Sequence, residues 1–349
     1  CMGVVSHAGG KLTFNPTGLP RDGHQPWEVL VHQESECVPI PLPTSGDNLS
    51  PTERVGLGRD GHLTALEGRK VVETLAWTNN QKGQTAGAYL MAVQGKSESL
   101  RLKSKAGSTQ PISMCRDESA AATHIRSSFD MVTRTVVVPD DKALPLRFQY
   151  DVDIRSRNNG ELWTSYRLEG IDSNQQQLCA DVHGLQYECH SPRFSAPLQA
   201  QFYPMPTMAW QEDARTRFSW VSAQPTGIAN LQTGLTIMLD RCGNRDDARG
   251  LGQGVTDPRP ATLKFEAMVE TLRPGAMEAA FGPPYEGFPS LRAITARTRT
   301  LNPIIELDGS LEHTRKVDEI RQRLPQWNPH ETHWTNHHVT TETIDERWQ

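Results

Sequence analysis

The feature that most constrains this chain is a two-residue alternation of apolar and polar side chains that recurs along most of its length. Phe148, Tyr150, Val152 and Ile154 fall on one side of an extended segment, and Leu162, Thr164, Tyr166 and Leu168 do so after the turn Asn158-Asn159-Gly160. Leu235, Ile237 and Leu239 repeat the pattern. So do Leu263, Phe265, Ala267 and Val269, whose opposite face carries Lys264, Glu266 and Glu270. Successive side chains of a strand point to opposite faces, so this period marks strands buried on one side. Thr135 to Val138 forms a β-branched run stopped by Pro139, and Phe218 with Trp220 marks another strand. With 24 prolines and 27 glycines distributed among these pieces, helices should be few. The fold class that follows is mainly β: a large antiparallel β-sandwich preceded by a small β domain.

Punctuation divides the chain. Residues 1–50 hold short strand-like pieces (KLTFNP, PWEVLVH, CVPIPLP), and the Pro-, Ser- and Gly-rich residues 39–51 read as a boundary. Residues 51–310 are the expected sandwich, opening with two brief strands in RVGLGRDGHLTAL joined through Arg59-Asp60-Gly61. In residues 311–349, Val317, Ile320 and Leu324 are spaced for one face of a short surface helix, followed by a polar tail with His330, His333, His337 and His338. Those histidines lack an accompanying carboxylate or cysteine at fixed spacing, so an extended or solvated tail is the preferred reading over a metal site.

Charge and composition exclude several functions. Thirty-six basic against 41 acidic residues give a net charge of −5 without a basic stripe, which argues against a nucleic-acid partner. No apolar run approaches the ~18 residues of a membrane span. No signal-peptide pattern is visible, an observation of little weight in a chain that opens on Cys1. The six cysteines include no Cys-x-x-Cys, but a turn near His183-Gly184 can bring Cys179 and Cys189 together as a disulfide. Asn48-Leu49-Ser50 is an N-glycosylation sequon, disfavoured by Pro51 after it.

The richest stretch for chemistry is RCGNRDDARGLGQG, residues 241–254, entered from the alternating run LTIMLD. Its GLGQG lacks the strand–loop–helix setting of a phosphate loop, because the following VTDPRP cannot start a long helix. Asp246 and Asp247 are adjacent, so they are poorly placed to straddle one bond as an acid/base pair. They suit hydrogen bonds to loop amides or pairing with Arg245 or Arg249. Gly250 and Gly252 permit tight turns. Trp210, Trp220 and Tyr203 are able to stack on sugars, but isolated aromatics more often fill a core. From the residues alone, this is a sandwich bearing a charged glycine-rich loop and no self-contained active site.

LTIMLDRCGNRDDARGLGQGV closely resembles the late β-domain segment of class II α-mannosidases, glycoside hydrolase family 38. Further elements resemble the family in the same order: Asn15-Pro16, ERVGLGRDGHLTAL, Gly87-Ala88-Tyr89-Leu90, Phe202-Tyr203-Pro204-Met205 and Leu301-Asn302-Pro303. The wording GLGQG is closer to the Golgi type than to the lysosomal type. The resemblance implies a zinc-dependent, retaining α-mannosidase that trims N-glycans in the lumen of the secretory pathway. Its Zn2+ and both carboxylates would lie in an amino-terminal α/β catalytic chain of the same precursor, not in this portion. What carries over is the rim. Tyr89 matches a tyrosine whose hydroxyl contacts the bound sugar, and Arg249 matches the arginine whose backbone carbonyl approaches a sugar hydroxyl. Asp246, Asp247, Gly250 and Gly252 would shape that loop. This chain departs from the family pattern at residues 178–184, which keep mainly Asp181 and Gly184, and at Cys242, where an arginine is usual. The His-rich tail has no family counterpart. Those departures motivate the alternative: a non-catalytic structural or glycan-binding component of a larger assembly.

Overall fold

The computed structural model describes residues 10–14, 29–33, 37–42, 48–80, 87, 93–103, 111–171, 176–182, 186–256, 259–272, 288–303 and 305–309. The chain separates into two compact units: Cys1–Glu34 together with Ile304–Gln349, and Ser35–Pro303. In the first, strand Gly10–Phe14 pairs antiparallel with Val29–Gln33 on one side and Ile305–Gly309 on the other. The first unit thus runs to Glu34, and the strand Ile305–Gly309 pairs within it. Val38–Ile40 adds to Ile112–Asp117, where a Cys37–Cys115 disulfide fastens it, and Asn48–Leu49 adds to Val55–Gly58.

Within the second unit the described residues form two large antiparallel sheets. One runs, in spatial order, Gln186–His190, Gln177–Val182, Met208–Glu212, Thr216–Ser222, Ala261–Thr271, Leu146–Val152, Val132–Pro139, Ala122–Ser128, Ile112–Asp117 and Val38–Ile40. The other runs Phe202–Met205, Thr226–Leu231, Gly234–Cys242, Gly160–Leu168, Arg69–Asn80, Leu63–Leu66, Val55–Gly58 and Asn48–Leu49, with Val93–Ser99 also on Arg69–Asn80. The mainly-β sandwich reading holds. The alternating segments named from sequence are strands, and their apolar faces meet between the sheets. Trp220 is the hub of an aromatic cluster, its ring centroid 4.9 Å from Phe148, 4.8 Å from Tyr166, 5.6 Å from Phe218 and 6.0 Å from Phe265. Trp210 and Trp220 are fully buried, which settles them as core. Tyr203, half-buried, stacks on His190 at 3.8 Å.

The core also contains a charged bridge that no pattern announced. Arg134 shares an inward face with Val132, Val136 and Val138, and Glu73 shares one with Val71, Leu75 and Trp77. The two form a buried ion pair between the sheets. Arg134 also donates to the Gly61 carbonyl (2.7 Å) and to Ser127 (3.1 Å), and the Tyr166 hydroxyl donates to Glu73 at 3.1 Å. The guanidinium and His62 overcome burial and hold the Glu73 carboxyl at a pKa of about 2.

Among the described residues one α-helix, Leu291–Leu301, falls at a position where the sequence reading placed none. The Ser290 side chain caps it by accepting from the Ala293 amide at 3.0 Å, and Ala293 and Ala296 are buried. It packs on the Thr216–Ser222 and Ala261–Thr271 strands. Two alanines make too narrow an apolar stripe to stand out in a Thr- and Arg-rich segment. The helix expected at residues 314–324 and the histidine tail lie outside the described residues.

Candidate sugar-site loop

The loop is launched by an irregularity in the strand Gly234–Cys242. Pairing with Gly160–Leu168 runs Tyr166↔Leu235, Thr164↔Ile237 and Trp163↔Met238, then shifts so that Leu162 faces Asp240. Leu239 is the extra residue of a β-bulge. A one-residue shift exchanges the faces of everything beyond it. By simple alternation Arg241 would point into the core with Leu235, Ile237 and Leu239. The bulge instead sets it opposite Glu161, on the outward face of the sheet.

Beyond Cys242 the chain leaves the sheet and returns. Gly243 and Val255 exchange two backbone hydrogen bonds of 2.9 and 2.6 Å, which close residues 244–254 into one excursion. A Cβ on Gly254 would lie 2.5 Å from the Gly243 carbonyl oxygen, so the neck of the excursion requires glycine there. Inside it, Asp246 accepts from the Ala248 amide at 3.1 Å and Asp247 accepts from the Arg249 amide at 3.2 Å. These Asx-type bonds suit a turn whose residue Ala248 has φ +56°. Gly250 and Gly252 follow with φ values of +103° and +70°. Asp247 is buried, whereas Asp246 and Arg249 are exposed. The adjacent carboxylates are committed to loop amides and do not face one another across a gap.

The loop rests on Gly87. A Cβ on that buried glycine would be 2.8 Å from the Arg245 carbonyl oxygen and 3.0 Å from the Asp247 carboxyl carbon. The Gly87 carbonyl accepts from the Arg241 guanidinium at 2.7 Å. The structure thus brings Gly87, from the Gly-Ala-Tyr segment, against residues 241–247, although they are far apart in sequence. Tyr89 itself lies outside the described residues, and nothing is shown of the Asn48 side chain.

Sequence reading missed Glu161. It is fully buried, with both carboxylate oxygens lacking a hydrogen bond, and Arg241 stands 3.6 Å from Oε1. Burial outweighs the attraction of Arg241 and pushes its pKa up to about 6. Alternating with Leu162 and Thr164, Glu161 reads in the sequence as an ordinary solvent-facing strand residue. Its burial depends on neighbouring strands. Cys242, on the inward side of the same strand end, is a free thiol, and Cys179–Cys189 is a disulfide as the hairpin reading allowed. Among the described residues no group of three or more His, Cys, Asp or Glu side chains can hold a metal ion.

No protein-family model matches the chain. It is, however, 31% identical to α-mannosidase 2 of Drosophila melanogaster over 280 residues, which cover 77% of this chain and 24% of that protein. The chain is a homologue of the α-mannosidases 2. Mouse α-mannosidase 2x is 36% identical over 143 residues, 41% of this chain and 12% of that protein. The Arabidopsis thaliana α-mannosidase 2 is 37% identical over 134 residues, 38% of this chain and 10% of that protein. The chain thus spans a quarter or less of the length of these curated relatives. A crystal structure of an α-mannosidase from Enterococcus faecalis shares the fold with a TM-score of 0.50 at 11% identity, covering 82% of this chain and 35% of that one. These relations link the sandwich to the glycoside hydrolase family 38 α-mannosidases.

Proposed function

We propose that this chain is the carboxy-terminal β portion of a zinc-dependent, retaining α-mannosidase that hydrolyses mannosyl linkages of N-glycans. In that enzyme it would supply one wall of the sugar site, while the metal and the reacting carboxylates would come from an amino-terminal α/β portion. The observation that carries the reading is the excursion at residues 244–254. Its bulged strand, closed neck, amide-bonded aspartates and docked Gly87, in a homologue of α-mannosidase 2, support such a rim role. Rigid backbone groups suit the recognition of a hexose, whose hydroxyls need partners in fixed directions once water is excluded. Tyr89 and the Arg249 backbone carbonyl are the proposed sugar contacts, and Asp246, Asp247, Gly250 and Gly252 set the shape around them.

The two disulfides among the described residues favour an oxidising compartment, which supports the secretory lumen and, with the α-mannosidase 2 relatives, the Golgi over the lysosome. No helix among the described residues is long and apolar enough to cross a membrane. The test is native mass spectrometry of the intact particle, followed by an α-mannoside hydrolysis assay with and without a zinc chelator. A companion polypeptide of the same precursor and chelator-sensitive activity are the expected results. A particle that contains the companion polypeptide and still hydrolyses no α-mannoside would instead favour the structural or glycan-binding alternative.

A further inference from the structure

One side chain connects the strand before the loop to Gly87. Arg241 is the connecting side chain, and it reaches the Gly87 carbonyl only because the bulge at Leu239 turns it outward. The same guanidinium nitrogen, Nη2, stands 3.6 Å from Oε1 of Glu161, which is fully buried and without a hydrogen bond to either oxygen. The strand Arg69–Asn80 presents Thr78 directly opposite, and its hydroxyl is engaged with Ser97 of Val93–Ser99 at 2.7 Å. Glu161's own strand presents Trp163, whose indole N–H approaches without closing a hydrogen bond. The strand Gly234–Cys242 presents Arg241. Arg241 is thus the charged neighbour facing Glu161 among the described residues.

A buried carboxylate without a hydrogen bond is an unfavourable arrangement, and such groups mark positions where a charge serves a purpose other than stability. We propose that Glu161 is a positioning residue: as a carboxylate it orients Arg241, whose guanidinium then holds the Gly87 carbonyl and locks the Gly87 segment against the turn at Arg245–Asp247. Protonation of Glu161 removes that attraction and weakens the arginine's hold on Gly87, so the rim loosens in acid. This rests on the sugar-rim reading only for its functional consequence; the clamp is a property of the chain.

The test is hydrogen–deuterium exchange of the folded chain between pH 5 and 7.5, corrected for intrinsic exchange, following peptides that contain residue 87 and residues 245–249. The wild-type protein is expected to lose protection there about tenfold as pH falls through about 6. Glu161→Gln, which keeps the shape but not the charge, should show the low level throughout, and Arg241→Gln should match it. Peptides from the Trp220 core should be unaffected in all three. Equal protection and an equal pH profile in wild type and Glu161→Gln would overturn the proposal. In the assembled enzyme, Glu161→Gln should raise KM several-fold with a smaller change in kcat and abolish the acid-side change in KM. If the assembled wild type hydrolyses no α-mannoside, the functional reading fails while the exchange result still decides the clamp.

Discussion

Replacing Arg134 by methionine should reveal how the two sheets are tied together. The guanidinium lies wholly inside the sandwich, paired with Glu73 and bonded to Gly61 and Ser127. Methionine fills a comparable apolar volume, so the main loss is electrostatic: Glu73 is left buried without its counter-charge. Breaking such a pair from one side typically costs ~3–5 kcal/mol, whereas replacing both partners by apolar groups is often close to neutral. The depressed pKa of Glu73 points in the same direction. It falls from 4.5 to about 2, and at ~1.4 kcal/mol per unit the favourable environment of the carboxylate is worth about 3 kcal/mol. The sign follows from linkage. Because the folded pKa is depressed, this contribution is fully present above the unfolded value of 4.5 and is lost as pH falls toward 2. Urea unfolding at pH 7 should therefore show Arg134→Met destabilised by ~3–5 kcal/mol. Glu73→Leu/Arg134→Met should recover at least half of the loss and no longer show the wild-type decline between pH 4.5 and 2. A cost of Arg134→Met below ~1 kcal/mol, or a double variant no better than the single, would refute a balanced charge pair as the tie.

Glu161→Gln should act in the opposite direction on stability. Its folded pKa is raised from 4.5 to about 6, so the carboxylate is penalised above pH 6 and not below 4.5; the variant should gain up to about 2 kcal/mol at pH 7 and nothing at pH 4, and a less stable variant at pH 7 would contradict this. Gly87→Ala must push its new methyl against the Arg245 carbonyl oxygen at 2.8 Å; a loss of ~1–3 kcal/mol is expected in thermal unfolding, and an unchanged melting temperature would show that the glycine is not a docking point. The disulfides should differ by the loops they close. Removing Cys37–Cys115, with a separation of 78 residues, should cost about 4–5 kcal/mol, and removing Cys179–Cys189, with a separation of 10, about 3 kcal/mol; the reverse order in urea unfolding of the two double-serine variants would exclude the chain-entropy explanation.

Some of the site was legible before any coordinates. The Asp-Asp-x-Arg-Gly loop and its glycines stand out because loop chemistry is local: a short carboxylate bonds an amide two residues on, and a glycine accepts a positive φ, whatever lies elsewhere. The Cys179–Cys189 bridge is likewise local, since a hairpin places the two cysteines opposite one another. Cys37–Cys115 was not legible, because the pairing of Val38–Ile40 with Ile112–Asp117 spans intervening strands of another sheet.

Sequence alone determined the alternating strands, the sandwich and the presence of a charged, glycine-rich loop after Asp240. Each follows from a period of two, from turn residues or from a contiguous motif. Only the tertiary structure decided which charged residues matter. Arg134 and Glu73 sit in ordinary alternating runs yet meet inside the core, because their strands belong to facing sheets. The alternation assigns Arg241 to the core, yet it faces outward to Glu161 and Gly87, because one unpaired residue at Leu239 reverses the face of everything after it. A bulge is a property of the register between two strands, and register is not contained in either strand alone.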